Sequence, residues 1–190
     1  MKKTIQDRLR ELRSKIRKGE LLGGGGLGNE VNYHIFDYDP EDELVVANEI
    51  TSISKSMDSV KVFNVYDIVC EILKENNYLD KVFDLESTKG SQTANSAIIG
   101  VLSVGKSGNL IVDKIAEGVS KGDTILITGI GQVYQIIRTH ILMSTLQNVV
   151  NDSNNPVIIL YPGSYDGQTL SLFNVFPVEN YYRAFKLVER

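Results

Sequence analysis

A single-domain, three-layer α/β sandwich on a mostly parallel, Rossmann-like sheet, with an amphipathic helix at its N-terminus, is the fold this sequence predicts. Three observations predict it. Residues 124–168 run from an apolar stretch (Ile125-Leu126-Ile127) through Gly129 and Gly131 into a long apolar helical pattern, then a second apolar stretch over 157–160. Short β-rich runs flanking roughly twenty helical residues make a βαβ unit, whose strands lie parallel and buried. The same alternation appears earlier, with a strand over 31–38, a helix to about Lys55, a strand over 60–65 and a helix over 66–76. Finally, 190 residues at 42% hydrophobic and 23% charged suffice for one sizeable core. Residues 1–190 are therefore expected to form one domain, with 1–20 a basic helix and 21–30 a Gly-rich connector.

Composition excludes several classes. The one cysteine, Cys70, cannot close an intrachain disulfide, and two histidines without paired cysteines supply no zinc set. No apolar run reaches the roughly 18 residues that span a bilayer, and the first twenty residues are charged rather than signal-like. A cytoplasmic protein with no membrane contact, no metal and no cofactor is expected. Charge is unevenly placed. Residues 2–18 hold eight basic side chains against Asp7 and Glu11, a surplus of six, so the whole-chain charge of −4 leaves about −10 on the remainder. An acidic body argues against a general nucleic-acid binder.

Taken in order, Ile5, Leu9, Leu12 and Ile16 are spaced four, three and four apart, one stripe of a helix with basic residues around it. That helix either docks with a solvated basic face or meets phosphate or an acidic partner. The run Gly23-Gly-Gly-Gly-Leu-Gly lacks a phosphate-loop lysine and reads as a connector. Asp39 is placed as N-cap and Pro40 as first residue of a helix whose opening acids suit its dipole. Its inner face is expected to be Leu44, Ala47, Ile50 and Ile53. A magnesium site on Asp37 and Asp39 is the sharper alternative for this acidic stretch.

Residues 78–85 suggest another helix. Gly100-Val-Leu-Ser-Val-Gly105-Lys106-Ser107 matches the phosphate-loop pattern, in which Gly105, Lys106 and Ser107 would hold a nucleotide. The match needs a strand at 97–99, whereas 92–104 also reads as a helix, and no later apolar run ends in a magnesium-binding Asp. Beyond Gly131, Arg138 and His140 point to different faces of the expected helix and suit structural anchoring. Residues 169–173 and 181–188 read as further strands.

In open parallel sheets ligands and partners meet the C-terminal strand ends. The turn bearing Gly129 and Gln132 and the loop bearing Tyr161, Gly163, Tyr165, Asp166 and Gln168 are therefore expected to share one binding edge. Arg138, His140, Tyr182 and Arg183 join it as candidates, with Tyr161, Tyr165, Tyr181 and Tyr182 gathered near one end. Tyrosines beside an arginine suit a protein interface. No catalytic set emerges.

Several motifs, Gly26-Leu-Gly-Asn-Glu30, Phe36-Asp-Tyr-Asp-Pro-Glu-Asp-Glu-Leu44, Thr128-Gly-Ile-Gly-Gln-Val-Tyr134 with Arg138-Thr-His140, Tyr161-Pro-Gly-Ser-Tyr-Asp-Gly-Gln168 and Asn180-Tyr-Tyr-Arg-Ala-Phe185, resemble the BrxB family of BREX (bacteriophage exclusion) systems. The resemblance spans essentially the whole chain, in order. The chain departs from the family pattern at Gln135 and Ser164, and the phosphate-loop match is not a family feature. The resemblance implies a cytoplasmic, non-enzymatic assembly component of an anti-phage defence complex. Its implied direct partner is a PglZ-like alkaline-phosphatase-fold protein, with a BrxC-like ATPase and a PglX-like methyltransferase as wider members and DNA an indirect contact. A nucleotide-binding or magnesium-dependent phosphoryl enzyme, and a DNA-binding accessory subunit acting through the basic helix, are the alternatives.

Overall fold

The computed structural model describes residues 3–21, 32–104, 108–150, 155–176, 179–180 and 184–190. The first helix, α1 (Ile5–Lys18), opens on a capping box: the Thr4 hydroxyl accepts the Asp7 N–H at 3.2 Å, and the Asp7 carboxylate accepts the Thr4 N–H at 3.3 Å. It closes on left-handed Gly19 and buries Leu9, Leu12 and Ile16, as the spacing requires. Strand β1 (Tyr33–Tyr38) leads through a 3-10 turn at Pro40–Asp42 into α2 (Glu43–Ser56). Next come β2 (Val60–Asn64) and α3 (Val65–Glu75), then α4 (Leu79–Lys89), α5 (Ser91–Leu102) and α6 (Leu110–Glu117). After β3 (Thr124–Thr128) come a 3-10 turn at Ile130–Val133, α7 (Thr139–Leu146) and β4 (Val157–Tyr165). Short strands β5 (Thr169–Leu172), β6 (Glu179–Asn180) and β7 (Phe185–Lys186) complete the described chain.

The central sheet has the order β2-β3-β4-β1-β7, all parallel, with β5 and β6 added antiparallel at the end of β4. Successive strand residues face opposite sides, and two cores result. Ile35, Ile125, Ile127 and Ile159 join the larger one with the helices from α3 to α7; Phe36, Leu126, Ile158 and Leu160 join the second with α1 and α2. This is the expected three-layer sandwich.

Four local expectations change. The long helix after Gly131 is a 3-10 turn followed, after extended Arg138 (φ −77°, ψ 144°), by the eight-residue α7. β-branched Val133, Ile136, Ile137 and Thr139 favour this break. The expected loop over 161–168 is largely strand, because β4 runs on to Tyr165. Gly163 permits that, since a Cβ there would lie 2.2 Å from the Ser171 carbonyl on β5. In α2 the buried stripe is Val46, Ile50 and Ile53, while Leu44 is 77% exposed. The helix starts only after the 3-10 turn, and i−4 from Ile50 is Val46, not Ala47. Last, 181–188 contain only the two-residue β7 within the described chain, whereas 92–104 hold α5, in keeping with the helical reading of that segment.

Candidate functional site at the C-terminal edge of the sheet

Strand β1 delivers its chain to α2 on one face of the sheet, while β3 delivers its chain to α7 on the other. Between them, across β4, opens a crevice of the kind that forms where connections diverge. Its two lobes, about 240 and 250 Å³, share Tyr38, Glu43 and Gly129. Pro40, Gln132, Pro162 and Phe173 wall the first; Val46, Ile50, Val62 and Leu160 wall the second. Gly129 has φ +77°, and a Cβ there would strike the Asn64 Oδ1 at 2.2 Å. That oxygen is already engaged, accepting the Tyr66 and Asp67 N–H groups to cap α3. The Tyr38 hydroxyl donates to the Glu43 carboxylate at 2.7 Å. Burial, reinforced by the Glu43 charge, pushes that hydroxyl above the ordinary tyrosine range, so it remains a proton donor.

Beside the crevice stands an aromatic platform. The Tyr134 and Phe176 rings lie 4.6 Å apart, Phe173 and Phe176 lie 6.0 Å apart, and the Arg138 guanidinium sits 3.8 Å from the Tyr134 ring centre. Val175 at its tip is 81% exposed. The turn that presents it holds Phe173 (φ 53°) and Asn174 (φ 57°) in left-handed conformations, closed by the Val175 and Phe176 N–H groups donating to the Leu172 carbonyl. A bulky residue at positive φ is an outlier that costs about 1–2 kcal/mol.

A buried ionic clasp ties this edge to both ends of the described chain. Asp37, fully buried, accepts Arg8 Nη2 at 2.9 Å, Arg190 Nε at 3.0 Å and the Tyr165 N–H at 3.2 Å, with Lys186 Nζ at 3.7 Å. Arg190 also binds Asp39 at 2.6 Å and the Gly163 carbonyl. Burial pulls the Arg8 guanidinium below its ordinary value against the pull of Asp37, yet arginine stays charged. Asp39 stands at the N-cap of the 3-10 turn with Pro40 after it, as expected, but its side chain makes no cap bond, its carboxylate serving Arg190. The pair weighed as a magnesium site is committed to guanidinium and ammonium groups. Among the described residues no three His, Cys, Asp or Glu side chains form a group that could hold a metal ion.

The other candidates separate. Gly129 and Gln132 line the crevice. Tyr161 and Tyr165, 2% and 1% exposed, lie in the larger core and present no contact surface. Alternation along β4 buries them, and the Tyr165 hydroxyl donates to the Ala184 carbonyl at 2.8 Å. Asp166 organises the β4–β5 turn: its carboxylate accepts the Gln168 N–H (2.8 Å), the Thr169 N–H (2.7 Å) and the Thr169 hydroxyl (2.7 Å). The Thr169 hydroxyl first, then the two N–H groups, hold its carboxyl down at about 2. His140 is half-buried in α7. Gly105, Lys106, Ser107, Tyr182 and Arg183 lie outside the described residues, as does the Gly-rich stretch over 22–31. Gly100 lies inside α5, so the phosphate-loop pattern has a helix where its strand belongs. Tyr38, Glu43, Phe173 and Phe176 were not among the sequence candidates; only the paired phenylalanines after β5 hinted at a surface.

Among the described residues no helix is long and apolar enough to cross a membrane. The family model described as "BREX protein BrxB" matches residues 61–187. A BREX protein BrxB of Bacillus cereus (strain H3081.97) is 36% identical over 191 residues, covering 98% of each chain. A BREX protein BrxB of Escherichia coli O9:H4 (strain HS) is 32% identical over 187 residues, covering 97% of this chain and 92% of that protein. No solved structure matches the chain.

Proposed function

This chain belongs to the BrxB family and so to the components of BREX systems, and from that premise we propose a non-catalytic assembly subunit that works in the cytoplasm and docks a PglZ-like, alkaline-phosphatase-fold protein. One observation carries the reading. The platform of Tyr134, Phe173, Val175 and Phe176 places exposed apolar area and an arginine-stacked ring at the C-terminal edge of the sheet, on a turn held at positive φ. Aromatic residues and arginine are the usual anchors of protein interfaces, and backbone strain persists where a site has a use for it.

The proposed contact surface is this platform together with Gly129, Gln132 and Arg138. A BrxC-like ATPase and a PglX-like methyltransferase are wider members of the proposed complex, reached through the docked partner. Co-purification of the tagged full chain with the PglZ-like protein of the same system tests the reading. Wild type and Phe83→Asp, a change at an exposed α4 position outside the proposed contact surface, are expected to retain the partner, and Val175→Asp to lose it. Retention by Val175→Asp would remove the platform from the interface, and absence of the partner from wild type would remove the docking function.

A further inference from the structure

We propose that the crevice between the ends of β1 and β3 receives a lysine or arginine side chain of the docked partner, with Glu43 as its counter-ion. The inference rests on the docking reading and names the chemistry the partner must bring. The two adjoining lobes are walled by Pro40, Val46, Ile50, Pro162, Leu160 and Phe173, apolar surface that suits the methylene stem of a long cationic side chain. Glu43 lines both lobes and supplies the charge.

Glu43, exposed at the start of α2, differs from Asp37 and Asp39 on the chain before it. Asp37 and Asp39 are matched by Arg8, Lys186 and Arg190, whereas among the described residues no Lys, Arg or His lies within ion-pair distance of Glu43. Among the described residues its carboxylate accepts a hydrogen bond from the Tyr38 hydroxyl, at Oε2. The acidic body adds to the local negative potential. An anionic ligand would meet that carboxylate, and among the described residues no cationic side chain lines either lobe. A cationic stem fits both the walls and the charge.

The crevice adjoins the aromatic platform through Phe173, which lines one and belongs to the other. A partner segment resting on Val175 and Phe176 therefore has the crevice within a side chain's reach. Apolar anchors beside a charge pair make the arrangement that sets both affinity and register at interfaces.

Affinity of the purified full chain for the co-expressed PglZ-like protein, measured at 50 and 300 mM salt, tests the inference. Glu43→Gln keeps the oxygen that accepts the Tyr38 hydroxyl and removes only the charge; Glu43→Arg reverses it. At 50 mM salt Glu43→Gln is expected to weaken binding roughly tenfold with a flatter salt dependence, and Glu43→Arg to weaken it further. Circular dichroism and urea midpoints should match wild type. If both variants bind as wild type while Val175→Asp does not, the crevice is empty in the complex and the docking reading survives alone. Equal weakening at both salts would also overturn the ionic contact, and no binding by wild type would remove both readings.

Discussion

Asp37 concentrates more long-range contacts than any other charged residue described above. Its carboxylate joins β1 to α1 through Arg8, to β4 through the Tyr165 N–H, and to the last described residue through Arg190. Removing one member of a buried ionic group strands the others without solvent, which costs about 3–5 kcal/mol. Asp37→Ala is expected to lose that much in urea unfolding, far more than loss of an exposed pair such as Arg10 with Asp7. Asp166 carries the pH dependence at this scale. Its carboxyl lies at about 2 when folded against about 4 in an unfolded chain. Its contribution is therefore complete above about pH 4 and fades as pH falls toward 2. The Thr169 amide, bonded to Asp166, is expected to lose hydrogen-exchange protection across that window, and Asp166→Ala to show low protection at every pH. The acids were visible in the sequence; their partners were not, since nothing local tells Asp37 that its cations lie 29 and 153 positions away.

Among the elements, α1 was the most legible, because its four, three, four spacing is a property of the helix itself. Its charge was misleading. Arg8 points into the protein and Arg13 binds Glu49 on α2, so part of the basic face is spent internally. Leu12, fully buried against the second core, is expected to cost about 2–5 kcal/mol on change to Ala. Deleting the whole helix would uncover that core and take Arg8 from Asp37, so it cannot serve as a test of DNA contact. Arg17→Ala with Lys18→Ala can, since both are exposed. Nucleic-acid affinity that survives this pair would not come from the helix end. The β4 extension was hidden because Pro162-Gly163 reads as a turn. In the fold it continues a strand, since β1 pairs with it as far as Tyr38 opposite Pro162, and β5 takes over from Gly163. Likewise the apolar pattern after Gly131 satisfied helical periodicity, yet tertiary packing of Ile130, Val133 and Ile137 settled the backbone instead.

At the scale of the molecule, the three-layer arrangement followed from strand and helix alternation, and the family from motifs spread over the chain. The site followed only in part. Periodicity placed Gly129 and Gln132 at the C-terminal edge of the sheet, where they line the crevice, but it cannot tell which tyrosines of a sheet end turn inward. Tyr161 and Tyr165 were drawn into the core, and the exposed apolar area passed to Val175 and Phe176 on the turn after β5. The interface test accordingly falls on Val175, 81% exposed, rather than on Tyr165, whose loss would damage packing. The most direct measurement of the central claim is the affinity of the purified full chain for its PglZ-like partner, wild type against Val175→Asp, with urea midpoints recorded for both. The docking account expects tight binding by wild type, a loss of at least about tenfold in the variant as for an interface anchor, and matching midpoints. Equal binding by the two proteins, or no binding by either, would contradict it.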